Sequence, residues 1–242
     1  MYKRFKVLPC GDRAFYLQWG GRISLRTSQH VQRMFHALRA KKRPGITEFV
    51  PNYCSVLVFY DPLTADLESF IEEVRETEKE VGQLDLGKVK KVNIPVIYGG
   101  EFGPDLEIVA NHHSLSPEVV IRLHTKPVYT NCMYGFDPGY ILLLGLPRRL
   151  ETPRMDNPRL SIPEGTVGIG GAQTGIYPFN RSGGWRLIGR TPLRMFDFQR
   201  DPAVLVDIGD QVQFYRIDRE EYDHILEKVK HGDEPISAYI ES

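Results

Sequence analysis

Net charge is missing from this chain: 31 Lys and Arg balance 31 Asp and Glu. A balanced surface gives no broad attraction to nucleic acid or to an anionic membrane, so neither is expected as a partner. The short basic clusters Lys41-Lys42-Arg43 and Lys88, Lys90, Lys91 fall at element boundaries and read as solvated surface. No run of about eighteen apolar residues occurs, which excludes a spanning helix. The opening Met1-Tyr2-Lys3-Arg4-Phe5 lacks the apolar core of a signal peptide. Cysteine is scarce. Cys10, Cys54 and Cys132 stand far apart without metal-ligand spacing, so they read as free thiols, no metal site is expected, and a cytoplasmic location follows. Phosphate-loop, dinucleotide, zinc-protease and nucleophile-elbow signatures are all absent, which leaves catalytic residues unassigned. His112 and His113 are adjacent on a short helix, about 100° apart, and cannot share a metal.

What is present changes texture near residue 90. Before it, helical and strand periods alternate. Lys3 to Leu8 and Ala14 to Trp19 read as strands about the turn Gly11-Asp12-Arg13. Ser28 is a candidate cap for a helix with Val31, Met34, Phe35 and Leu38 on one face. Cys54 to Tyr60 reads as a strand, and Ala65 to Gly82 as a helix whose apolar face is Leu67, Phe70, Ile71, Val74 and Val81. The order β-β-α-β-α suits a small α+β domain over residues 1–90.

Residues 91–242 hold two short helical signals, Pro104 to Ala110 and Pro117 to His124, the second with Ser116 at the N-cap. Half of the 22 glycines lie between Gly135 and Gly189, among short strands and prolines. That pattern fits a compact β-barrel with tight corners. An amphipathic helix, Arg219 to Lys230, follows.

Three segments have the mixture that a ligand site needs. Gly99-Gly100-Glu101-Phe102-Gly103-Pro104-Asp105-Leu106 sets a carboxylate among glycines that let backbone amides approach a bound group. It reads equally well as a strand-to-helix turn with Asp105 favouring the helix start. The second runs from Gly135 through Gly139-Tyr140 to Arg154 and Arg159, two planar forks for carboxylate or phosphate. The third, Gly165 to Thr191, contains Gly170, Gly171, Gln173, Thr174, Gly175, Tyr177, Trp185 and Arg190, polar and flat side chains on a permissive backbone. A barrel corner could use the same glycines but has less need of Gln, Thr, Arg and Trp together. From the residues alone this is a two-domain protein with a barrel site for a small polar or anionic ligand.

Long ordered motifs go further. Gly11-Asp12-Arg13-Ala14, Pro44-Gly45-Ile46, Pro51-Asn52-Tyr53, Tyr60-Asp61-Pro62, Gly99 to Leu106, Ser116 to His124, Gln173-Thr174-Gly175-Ile176-Tyr177-Pro178 and Gly183 to Pro192 span nearly the whole chain. Together they resemble the family of the B-type subunit of bacterial 5-oxoprolinase. That family also takes in the Kip-type inhibitor of a sporulation histidine kinase and the first-subunit domain of allophanate hydrolase and urea carboxylase. The resemblance implies an α+β N-terminal domain followed by a cyclophilin-like β-barrel. It implies a C-type partner subunit and a lactam-opening A-type subunit, with ATP and Mg shared with the partner to convert 5-oxoproline to glutamate. On this reading Glu101, Tyr140, Arg154, Arg159, Gln173, Thr174, Tyr177 and Arg190 bind substrate in one hollow, with Gly99, Gly100, Gly103, Gly139, Gly170, Gly171 and Gly175 as backbone loops. A regulatory kinase inhibitor, or a domain of a biotin-dependent urea or amide carboxylase, is the alternative.

Two departures make the second segment more apolar and less cationic. Leu142-Leu143-Leu144-Gly145 stands where the family commonly has an aromatic, a leucine and two glycines, and Arg154-Met155 stands in place of its arginine pair.

Overall fold

The computed structural model describes residues 1–83, 89–233 and 235–241, so Lys88 of the second basic cluster lies outside them. The chain divides into two units, Met1–Val89 and Lys90–Ser242.

In the first unit the strands are β1 (Lys6–Pro9), β2 (Ala14–Gln18), β3 (Ile46–Pro51) and β4 (Ser55–Tyr60). They form one antiparallel sheet in the order β1-β2-β4-β3. Helices α1 (Leu25–Ala40) and α2 (Leu67–Glu80) cover it. Register sets Phe15 opposite Val58 and Leu17 opposite Val56, and these four pack with Val31, Met34, Phe35, Leu38, Phe70 and Val74. Two sequence expectations change. The cap of α1 is Ser24, which accepts the Thr27 N–H, while Ser28 is buried one turn inside with Gln32. The stretch Ile46–Pro51 is a strand where none was expected, because an edge strand ending in proline carries little apolar alternation.

The second unit is a closed barrel. Its strands are β5 (Lys91–Tyr98), β6 (Tyr129–Tyr134), β7 (Ile141–Leu144), β9 (Thr166–Gly170), β10 (Gln173–Ile176), β12 (Arg186–Arg190) and β13 (Gln211–Arg216), in the ring order β12-β9-β10-β7-β6-β13-β5. Gly189 and Arg190 of β12 pair with Tyr98 and Ile97 of β5 and shut the ring. Strand β14 (Ile240–Glu241) pairs with the other end of β5, at Lys91 and Val92. A two-stranded ribbon, β8 (Arg159–Ile162) with β11 (Arg181–Gly183), stands apart from the ring. Helices α3 (Leu106–His112) and α4 (Pro117–Thr125) follow β5, and α5 (Arg219–His231) follows β13. Ser116 caps α4 and Pro117 opens it, as the sequence predicts. By contrast α3 starts two residues later than expected, after Pro104-Asp105.

The ladder between β6 and β13 is short: Gln211 pairs with Thr130 and Val212 with Tyr129. Continuing that register sets Phe214 opposite Pro127, which has no N–H to offer, so the wall opens there. The end of α4 fills the gap. His124 is fully buried, stacks on Phe214 at 4.6 Å, and reaches across to β5 and β10. The Thr174 hydroxyl donates to Gly168 O at 2.9 Å, so its lone pair accepts from His124 Nε2–H, also at 2.9 Å. His124 Nδ1 then accepts from the Tyr98 hydroxyl at 2.8 Å, and the Tyr129 hydroxyl donates to the His124 carbonyl at 2.7 Å. This donor–acceptor count assigns one neutral tautomer with both ring nitrogens satisfied.

Burial lowers the His124 pKa to about 3. The unfolded imidazole takes up a proton near pH 6.5, whereas the folded one does so only near pH 3. The contribution is therefore complete above pH 6.5 and falls by up to about 1.4 kcal/mol per pH unit as the medium is acidified towards pH 3. Urea unfolding at several pH values, on the wild type and His124→Gln, checks this: the variant's stability should depend less steeply on pH in that window.

Candidate functional site

Outside the barrel wall lies a second apolar cluster, separate from the core within. Along β10, Thr174 and Ile176 point inward, so Gln173 and Gly175 face out and Tyr177 continues on their side. Gly175 is opposite Gly168, and Gln173 opposite Gly170. Bare backbone here leaves a floor on which the Trp185 indole rests. A Cβ at Gly170 would come within 2.5 Å of the indole, and one at Gly175 within 3.2 Å. Tyr140 stacks on Tyr177 with ring centroids 5.1 Å apart, and Ile162, Leu187 and Leu142 complete the cluster. Gly183, in the β8–β11 ribbon, leaves room for the Tyr177 hydroxyl.

Two arginines sit on this cluster with different freedom. The exposed Arg154 guanidinium lies 5.6 Å from the Trp185 ring centroid. Among the described residues it has no carboxylate partner. Arg159 is held by Asp105 in a bidentate pair at 2.7 and 2.9 Å, with the Met155 sulfur 2.8 Å from the same guanidinium. Asp105 is buried, accepts the Leu187 N–H at 2.7 Å and donates its own N–H to Leu187 O at 2.9 Å. It thus ties the approach to α3, the strand β12 and the ribbon together. Burial pushes the Tyr177 phenol up, opposed by its hydrogen bond with Tyr140 and the positive charges of Arg154 and Arg159.

The eight side chains expected in one hollow therefore separate. Tyr140, Arg154, Arg159, Gln173 and Tyr177 share the outer face, with Gly170 and Gly175 beneath. Thr174 belongs to the barrel interior, bonded to His124, because it alternates with Gln173 along the strand. Arg190 lies with Phe102, its guanidinium 5.5 Å from that ring, and bonds Tyr222 of α5. Glu101 is exposed and pairs with Arg219 at 2.6 Å, whose guanidinium is 5.0 Å from the Phe102 ring. Gly99 and Gly100 form the positive-φ turn beside them, and Gly103 lies so close to the Ile188 carbonyl that no larger residue fits. Gly139 packs on Phe196, and Gly171 bridges to Thr152. Of the two departures, Leu142 packs against the cluster while Leu143 belongs to the barrel core, and Met155 sets its thioether beside the Arg159 guanidinium.

Asp105 and Trp185 organise this face more than their sequence settings suggest. Among the described residues no group of three His, Cys, Asp or Glu side chains could hold a metal ion, and no helix is long and apolar enough to cross a membrane.

A model of the family described as carboxyltransferase domain, subdomain C and D, matches residues 5–206. The B subunit of the Bacillus subtilis 5-oxoprolinase is 40% identical over 232 residues, which cover 92% of this chain and 97% of that one. Its Escherichia coli O157:H7 counterpart is 38% identical, covering 88% and 96%. The chain belongs to this family. Among solved structures, TTHA0988 is 32% identical with a TM-score of 0.75, covering 85% of this chain but 40% of that one. The uncharacterised PH0987 of Pyrococcus horikoshii is 41% identical with a TM-score of 0.54, covering 90% and 100%. The Kluyveromyces lactis urea carboxylase, at 21% identity and a TM-score of 0.76 over 98% of this chain and 23% of its own, shares the fold.

Gly170→Ala should force the Trp185 indole off its floor and lower stability by about 1–3 kcal/mol. Trp185 is one of two tryptophans in the chain, so the change is read in near-UV circular dichroism and in urea unfolding.

Proposed function

We propose that this chain is the B-type subunit of an ATP-dependent 5-oxoprolinase, inactive alone and working with C-type and A-type subunits. The observation that carries this reading is the end-to-end match with relatives named as 5-oxoprolinase B subunits, 40% identical over 92% of this chain in the Bacillus case. An unstrained lactam is a poor electrophile, and phosphorylating its oxygen makes the ring carbon open to attack. Such chemistry needs positioned cations and amides around developing charge.

The outer face supports a share in that work. Arg154 is a cation without a carboxylate partner among the described residues, carried on a flat apolar surface, and can meet a carboxylate or phosphoryl oxygen. Arg159 already has its carboxylate, so its part is to hold the surface in shape around Asp105. No cage of acidic side chains exists for Mg among the described residues, and a Mg ion on a nucleotide needs only one or two carboxylates besides phosphate oxygens.

ATP consumption by the three reconstituted subunits, measured with and without 5-oxoproline, tests the reading; equal rates would overturn it. Arg154→Ala should lower kcat/KM by about 10- to 100-fold, the loss of one charge-assisted contact, with the fold unchanged by circular dichroism.

A further inference from the structure

A cleft of about 740 Å³ crosses the outside of the barrel over β5 and β13, away from the Trp185 face. Its floor follows from strand alternation. Val92, Ile94, Val212 and Phe214 turn into the core, so Asn93, Gln213 and Tyr215 face out, and Asn93 and Gln213 are paired neighbours. Thr125, at the end of α4, and Arg216 form one wall; Ala238 and Tyr239, in the turn before β14, form the other. The cleft stays open because β14 pairs only with the start of β5, at Lys91 and Val92.

Its chemistry is specific. Among the described residues the Gln213 carboxamide has no hydrogen-bond partner, so it offers one acceptor and two donors. Neighbouring Asn93 is fixed by donating to Glu241 at 2.7 Å, which orients its amide. Arg216 is held to Glu118 through Nη1 alone, at 2.8 and 2.9 Å, and its other nitrogens remain donors. Tyr215 and Tyr239 supply flat sides. A primary carboxamide pairs best with another amide edge, and a guanidinium with a carboxylate. Among the described residues no carboxylate, histidine or cysteine is in the cleft's lining, a composition that suits binding. Its volume suits a small molecule.

We infer that the β5–β13 cleft is a binding site for a small ligand carrying both an amide and a carboxylate, with Gln213 reading the amide and Arg216 the acid. It is separate from the Arg154 surface. The choice of a lactam acid as the probe rests on the function proposed above, whereas the demand for amide plus acid does not.

The test uses the full chain, ¹⁵N-labelled, titrated with 5-oxoproline, with 2-pyrrolidinone (the lactam without the acid) and with cyclopentanecarboxylate (the acid without the amide). The expected result is a saturable shift of the Gln213 side-chain amide and of the backbone amides at 213–216 with 5-oxoproline. Each comparator should bind about 10-fold more weakly or worse, and Gln213→Ala and Arg216→Ala should each weaken 5-oxoproline by about 10-fold. Equal affinity for all three compounds, or shifts confined to residues around Trp185, would overturn the site. Cleft shifts that persist in a chain failing the ATP assay would still support it, so the two readings fail separately.

Discussion

Closure of the barrel through β5 is the constraint on which the other features rest. One edge of this strand is shared between β12 at Ile97 and Tyr98 and β14 at Lys91 and Val92, while the other runs parallel to β13. Gly189 meets Tyr98 so closely that a Cβ would come within 2.7 Å of the Ile97 carbonyl. Because β12 is fixed there, the segment after β5 must cross it at Gly103. That crossing delivers Asp105 to the Leu187 backbone and to Arg159. One carboxylate then anchors the loop, the barrel wall and the outer ribbon.

The same closure creates an interior whose buried polar groups pair with one another. The chain from Tyr98 through His124 and Thr174 to the Gly168 carbonyl matches each donor to an acceptor. It also explains why Thr174, inside a motif rich in ligand-like residues, serves the core. Its immediate neighbours Gln173 and Gly175 belong to the opposite face, where glycine backbone supports Trp185 and the cation Arg154 above it. A single short strand thus serves two environments through alternation alone.

Much was legible beforehand because it depends on local pattern. The faces of α1, α2 and α5 follow the 3.6-residue period, Ser116-Pro117 marks the start of α4, and the glycine-dense stretch reads as barrel. The strand Ile46–Pro51 escaped because edge strands need no apolar alternation. His124 could have been suspected, since it shares the buried face of α4 with Val120 and Ile121, but its partners lie 26 and 50 residues away.

Composition and periodicity determined that this chain has an α+β part and a barrel part, carries no net charge and bears its unusual residues between Gly99 and Thr191. They did so because burial of alternating or helical faces is a local property. Which of those residues meet was decided only by the tertiary structure. Ring closure and the pleat assign neighbouring side chains to opposite sides of a wall, and they join Asp105 to Arg159, and Trp185 to Arg154, across long stretches of chain.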